Sequence, residues 1–104
     1  MAQFDVYSNP NPVTKRAIPY LLDIQADLLN NLATRVVIPL YTVSAMGKTA
    51  KYLNIQFSVK RTTVIMSTAE LAGVAVKSLG DKVCSLTEHR NEIIAAIDFL
   101  VTGF

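Results

Sequence analysis

Ser85-Leu86-Thr87-Glu88-His89-Arg90-Asn91-Glu92-Ile93-Ile94-Ala95-Ala96-Ile97-Asp98-Phe99-Leu100-Val101-Thr102-Gly103-Phe104 is the stretch on which the fold turns. It reads as one long amphipathic helix. Ser85 and Glu88 have the spacing of a capping box, in which each side chain accepts from the other residue's backbone N–H. Leu86, Ile93, Ile97, Leu100 and Phe104 recur on one face. Ile94 and Val101 widen that face, and Ala96 lies on its other flank. The apolar arc covers roughly half the cylinder, more than a surface helix on one small sheet needs. Its last turn is apolar, which predicts a contact with a partner.

The segments before this helix read as strands. Gln3 to Tyr7 alternates, with Phe4 and Val6 on one face. Ser8 to Pro12 is a loop broken by two prolines. In Ala17 to Ile24, the residues Ile18, Tyr20, Leu22 and Ile24 share a face, and Pro19 predicts an edge or bulge. Gln25 to Asn31 is a polar loop that carries Leu28-Leu29 in its middle. Thr34 to Leu40 reads as a strand buried on both faces and stopped by Pro39. Tyr41 to Lys51 is a connection with room for a helical turn. Ile55 to Val59 and Thr62 to Ser67 form a hairpin around Lys60-Arg61. Gly73 to Lys77 is another short strand, and Lys82 to Cys84 leads into the helix. Many short strands, then one helix, with no strand–helix alternation, argue against a parallel sheet. The expected class is α+β (mainly β): a partly barrel-like antiparallel sheet packed by a C-terminal helix.

At 104 residues the chain is expected to form one domain, 1–104, stable only marginally on its own. The charged share is 17%, against about 25% in typical domains. A small, apolar, weakly charged chain suggests a homodimer. The net charge of +2 argues against non-specific nucleic-acid binding. A single cysteine, Cys84, excludes an intramolecular disulfide and suits a reducing cytoplasm. The N-terminal residues lack the pattern of a signal peptide, and no apolar run reaches membrane-spanning length.

Candidates for chemistry are thin. His89 is the single histidine and reads first as an exposed or partly packed helix residue. Cys84 precedes a helix start, which can lower a thiol pKa, but it reads first as a small buried hydrophobe. Asp23 and Asp27 read as turn and surface residues before they read as a carboxylate pair. Gly47-Lys48-Thr49 lacks the earlier glycine of a phosphate loop. Lys48, Lys51, Lys60 and Arg61, with Tyr52 and Phe57 between them, read as a solvated rim rather than an RNA surface. No cofactor and no metal are expected. The residues favour a protein that acts by contact.

Gln3-Phe4-x-Val6-Tyr7, Asp23-x-Gln25-x-Asp27 with Leu28-Leu29, Arg35-x-Val37-Ile38-Pro39-Leu40, Val74-x-Val76, Leu86 followed by Glu88 to Glu92, and the closing Gly103-Phe104 together resemble the CcdB toxin family. The likeness spans essentially the whole chain and is weakest from Tyr41 to Thr63. It implies an SH3-like antiparallel barrel with a C-terminal helix. It also implies a cytoplasmic homodimeric toxin that is not an enzyme. Such a toxin binds the DNA gyrase A subunit and traps the gyrase–DNA cleavage complex. A cognate CcdA-like antitoxin neutralises it, and the pair represses its operon, so operator DNA is met only through the antitoxin. The gyrase-binding positions implied here are Asp98, Val101, Thr102, Gly103 and Phe104, with Leu28 and Leu29. The common family ending is Trp-Gly-Ile, where this chain has Thr-Gly-Phe. Either Phe104 or Phe99 supplies the aromatic surface, or the gyrase contact is modified or weaker. The alternative on the same fold is a MazF-like RNA endonuclease using His89 and the basic rim.

Overall fold

The computed structural model describes residues 1–50 and 52–103. Among the described residues, seven strands form one antiparallel sheet: β1 (Asp5–Ser8), β2 (Tyr20–Asp23), β3 (Thr34–Thr42), β4 (Gln56–Val59), β5 (Thr62–Met66), β6 (Ala72–Ala75) and β7 (Lys82–Ser85). The order is β4-β5-β3-β2-β1-β7, with β6 also on β3. A short helix α1 (Val43–Met46) follows β3, and α2 (Arg90–Thr102) closes the described chain. The architecture is a mainly-β antiparallel half-barrel sheet with a C-terminal helix, as the strand-then-helix order predicts.

The longest strand, β3, is the spine. One edge pairs with β2, with Leu22 opposite Ile38. The other edge is shared: residues 34–37 pair with β6 and residues 40–42 with β5. Pro39 does not stop the strand. Its carbonyl accepts from the Ser67 N–H at 3.0 Å, between the end of β5 at Met66 and the start of β6 at Ala72. N–H and C=O of one residue point to the same side of an antiparallel strand. The missing donor therefore falls in the gap, where no ladder partner is required.

Alternation places the core as expected. Phe4, Val6, Leu22, Ile38, Leu40, Phe57, Val59, Val64 and Met66 cluster under the helix with Leu86, Ile93 and Ala96. The hairpin forms, and its turn residues Lys60 and Arg61 have φ of 51° and 66°. Two successive positive φ values are the signature of a type I′ turn, whose backbone twist suits a two-residue hairpin.

The helix start differs from the expected one. Ser85 is still in β7, paired with Asp5, and the Leu86 N–H donates to the Phe4 carbonyl at 2.8 Å. The capping box does not form. Ser85 Oγ instead accepts from the Thr87 N–H at 3.2 Å. A 3-10 turn at Thr87–His89 intervenes, and the α-helix starts at Arg90 without a side-chain cap. The sheet ladder holds Ser85 extended, so the chain must turn before it can coil. Ile93 and Ala96 are buried, and Ile94 and Ile97 pack against the core.

Gly80 marks a close approach. A Cβ there would lie 2.7 Å from the Ser8 carbonyl oxygen. The Gly80 N–H donates to that oxygen at 2.9 Å, and the Asp81 N–H donates to Ser8 Oγ at 3.0 Å. This clasp sets the register of β1 against β7.

Candidate functional site

The residues expected at a contact surface fall on two elements. Leu28 and Leu29 belong to a 3-10 turn, Asp27–Leu29, between β2 and β3. Leu28 is 95% exposed and Leu29 48%, so the pair faces solvent rather than the sheet. Three side-chain ties bracket the turn. The Gln3 N–H donates to Asp27 Oδ1 at 2.7 Å. Gln25 Nε2 donates to the Leu29 carbonyl at 2.9 Å. Arg35 Nη1 donates to Asn30 Oδ1 at 2.6 Å.

The second element is the end of α2. Asp98, Val101, Thr102 and Gly103 are all exposed, Val101 by 74%. Thr102 Oγ1 donates to the Asp98 carbonyl at 2.7 Å, which joins two of the expected residues one turn apart. Gly103 ends the helix in the left-handed region at φ 80°, and its N–H donates to the Phe99 carbonyl at 2.9 Å. The glycine therefore has a structural use: a left-handed helix stop costs least without a Cβ. Phe104 lies outside the described residues. Phe99 is half-buried against Tyr52, with ring centroids 5.1 Å apart. The helix packs on the sheet core through Ile93 and Ala96, and its backbone also runs close to the 3-10 turn Thr68–Glu70 and to its own lead-in at Thr87–His89.

The helix end also has an electrostatic character. Its last turn holds no basic residue. The unpaired C-terminal carbonyls of a helix carry about half a negative charge. With exposed Asp98 beside them, this end suits a cationic group.

A buried polar cluster lies on the sheet face opposite the core. Asp23, expected at the surface, is fully buried, and so is Arg35 at 1% exposure. Arg35 Nε and Nη2 donate to Asp23 Oδ2 at 2.9 and 2.6 Å. Asp23 Oδ1 accepts from the Gln25 N–H at 3.0 Å. Gln25 Oε1 accepts from the Val36 N–H at 3.1 Å. Asp5 lies in the same region and accepts from the Tyr7 hydroxyl at 3.3 Å. Burial first, and then the Asp5 carboxylate, push the Tyr7 phenol up to about 12. The only sequence sign of this cluster was an arginine in an otherwise apolar strand.

The remaining candidates are accounted for. His89 packs its ring edge on Phe57, 5.0 Å between centroids, and its Nδ1 lies 3.0 Å from Glu92 Oε1. It lines a shallow cleft with Gln56, Phe57, Ser58, Thr63 and Glu88. Burial pushes the Cys84 thiol up, against the lowering that a helix start could bring, and the side chain packs on the core. Lys60 and Arg61 form the exposed hairpin tip, and Lys48 follows α1. Lys51 lies outside the described residues. Among the described residues, no group of three His, Cys, Asp or Glu could hold a metal ion. None of their helices is long and apolar enough to cross a membrane.

Solved structures with this arrangement share the fold. An endoribonuclease in complex with its cognate antitoxin, from a mycobacterial species, superposes with a TM-score of 0.76 at 15% identity, over 97% of this chain and 94% of that one. A mycobacterial endoribonuclease gives 0.71 at 16%, over 97% and 90%. The Mycobacterium tuberculosis toxin MazF-mt6 gives 0.68 at 14%, over 79% and 84%. These likenesses define the class: a small half-barrel closed by a C-terminal helix. The sequence profile described as CcdB protein matches residues 3–103. The chain belongs to the CcdB family, whose members are toxins of toxin–antitoxin modules.

Proposed function

We propose that this chain poisons DNA gyrase: it binds the A subunit and traps the gyrase–DNA cleavage complex. It works by contact and not as an enzyme. It acts in the cytoplasm as a homodimer. A cognate CcdA-like antitoxin neutralises it and joins it in repressing their operon. The complex of an antitoxin with a protein of the same fold supports that partner.

The observation that carries this reading is the exposure of both segments that the family likeness assigns to gyrase. Leu28 projects from one turn and Val101 from the helix end, each among the most exposed large apolar side chains described. Exposed aliphatics beside an uncompensated helix C-terminus suit a partner surface that offers apolar pockets and a cation. Arginine fits that cation best, because it can also form paired hydrogen bonds to the carbonyls and to Asp98.

The test is a cleavage assay with supercoiled plasmid, gyrase and ATP. Purified toxin should accumulate linear DNA after denaturation and protease treatment, and it should leave RNA intact without gyrase. Cleavage of RNA in the absence of gyrase would replace this reading with the endoribonuclease one. Antitoxin binding without any gyrase effect would reduce the protein to an operon-regulating module.

A further inference from the structure

Leu28 is nearly free of contact in a chain with an apolar core directly beneath the sheet. The turn that carries it is tied by hydrogen bonds to neighbouring side chains. Two of the three ties that bracket it lead to one place. Arg35 holds Asn30 with Nη1 and Asp23 with Nε and Nη2. Gln25 spans the Leu29 carbonyl and the Val36 N–H. Arg35 and Gln25 are themselves 1% and 6% exposed, so neither meets a partner directly. Asp23, whose carboxylate fixes the guanidinium, is in turn held by the β2–β3 ladder opposite Val37.

We propose that Arg35 and Gln25 are positioning residues. They form a buried polar platform that sets the Leu28-Leu29 turn, before binding, in the geometry its partner meets. This rests on the reading of that turn as part of the gyrase contact. Rigid presentation of a binding loop raises affinity by removing the ordering cost from the binding step. A turn that holds its binding geometry a tenth of the time binds about tenfold more weakly.

Asn30→Ala cuts the tie from Arg35 and leaves the Asp23–Arg35 pair whole. Gln25→Ala cuts the tie to the Leu29 carbonyl. Each variant, purified full length, is measured for melting temperature, amide hydrogen exchange at residues 26–31, and affinity for the gyrase A subunit. Asn30→Ala is expected to melt within a few degrees of the parent. Its exchange at 26–31 should accelerate, and its affinity should fall about tenfold. Asn30→Asp, which keeps the acceptor, should restore both. In a Leu28→Ala background the same Asn30→Ala change should cost much less, because its effect runs through that leucine. If Leu28→Ala and Leu29→Ala weaken binding while Asn30→Ala and Gln25→Ala change neither exchange nor affinity, the platform idea is overturned and the contact reading stands. If Leu28→Ala and Leu29→Ala leave affinity unchanged, the contact reading fails and takes the proposal with it.

Discussion

Asp23 and Arg35 are twelve residues apart and meet at 2.6 Å with no solvent around them. Desolvating two charges costs several kcal/mol per ion, and the pair is tolerated because its groups are bonded. Among the described residues, no buried side-chain nitrogen or oxygen lacks a partner. Removing one member leaves the other charge buried and alone. Asp23→Ala should therefore destabilise the fold by about 3–5 kcal/mol, read from urea unfolding monitored by circular dichroism. Against a typical total of about 5–15 kcal/mol, that removes from about a fifth of the stability to all of it. Tyr7 offers a second residue-level test. Its folded pKa is raised to about 12 from an ordinary 10.0. The unfolded chain thus loses this proton before the folded one does. The stabilisation is complete below pH 10 and is lost as pH rises through about 12. Absorbance titration of the tyrosinates should show one late phase, absent in Tyr7→Phe, and the variant should show a shallower fall in stability over that window.

At the scale of elements, the β4–β5 hairpin invites the clearest experiment. Its turn places Lys60 and Arg61 at positive φ, where Asn-Gly is the preferred pair. Side chains with a Cβ pay strain there, so Lys60→Asn with Arg61→Gly should stabilise the protein by about 1 kcal/mol. The check is a rise in melting temperature with an unchanged outcome in the cleavage assay that tests the proposed gyrase poisoning. This hairpin was legible in the sequence because its alternation and turn are local. The helix was legible for the same reason, through Ile93 and Ile97. Its start was not, because Ser85 is held by Asp5 and Phe4, eighty residues earlier in the chain. Pro39 misled for a related cause: whether a strand tolerates proline depends on its neighbours, and here two neighbours leave a gap at that residue. The Asp23–Arg35 pair could not be read either. Each residue alternates with apolar neighbours on its own strand, and only the register of β2 on β3 brings them together. Leu28, Leu29 and Val101, proposed above as contact residues on the family likeness, are exposed in the structure.

At the scale of the whole molecule, Val13, Val43, Tyr52 and Val101 are exposed at separate places along the described chain, and Leu28 and Leu29 together on one turn. Apolar side chains scattered singly are ordinary on a protein surface, so the homodimer proposed above rests on the family likeness and is tested directly. Sedimentation at micromolar concentration should give a mass near twice 11.4 kDa, and melting temperature should rise with protein concentration. A concentration-independent mass of 11.4 kDa would rule out the homodimer.

The pairing of β1 with β7 sets a condition on how the chain folds. Val6 lies opposite Cys84, and the Ser8 clasp onto Gly80 and Asp81 fastens the same seam. The Asp81 N–H and Ser8 Oγ are 73 residues apart in sequence, so a long loop must close before the seam stabilises anything. Pairings of this range slow folding relative to a helical protein of the same size. Substitutions that weaken the seam should therefore act on the rate of folding only as far as the seam is already formed in the transition state.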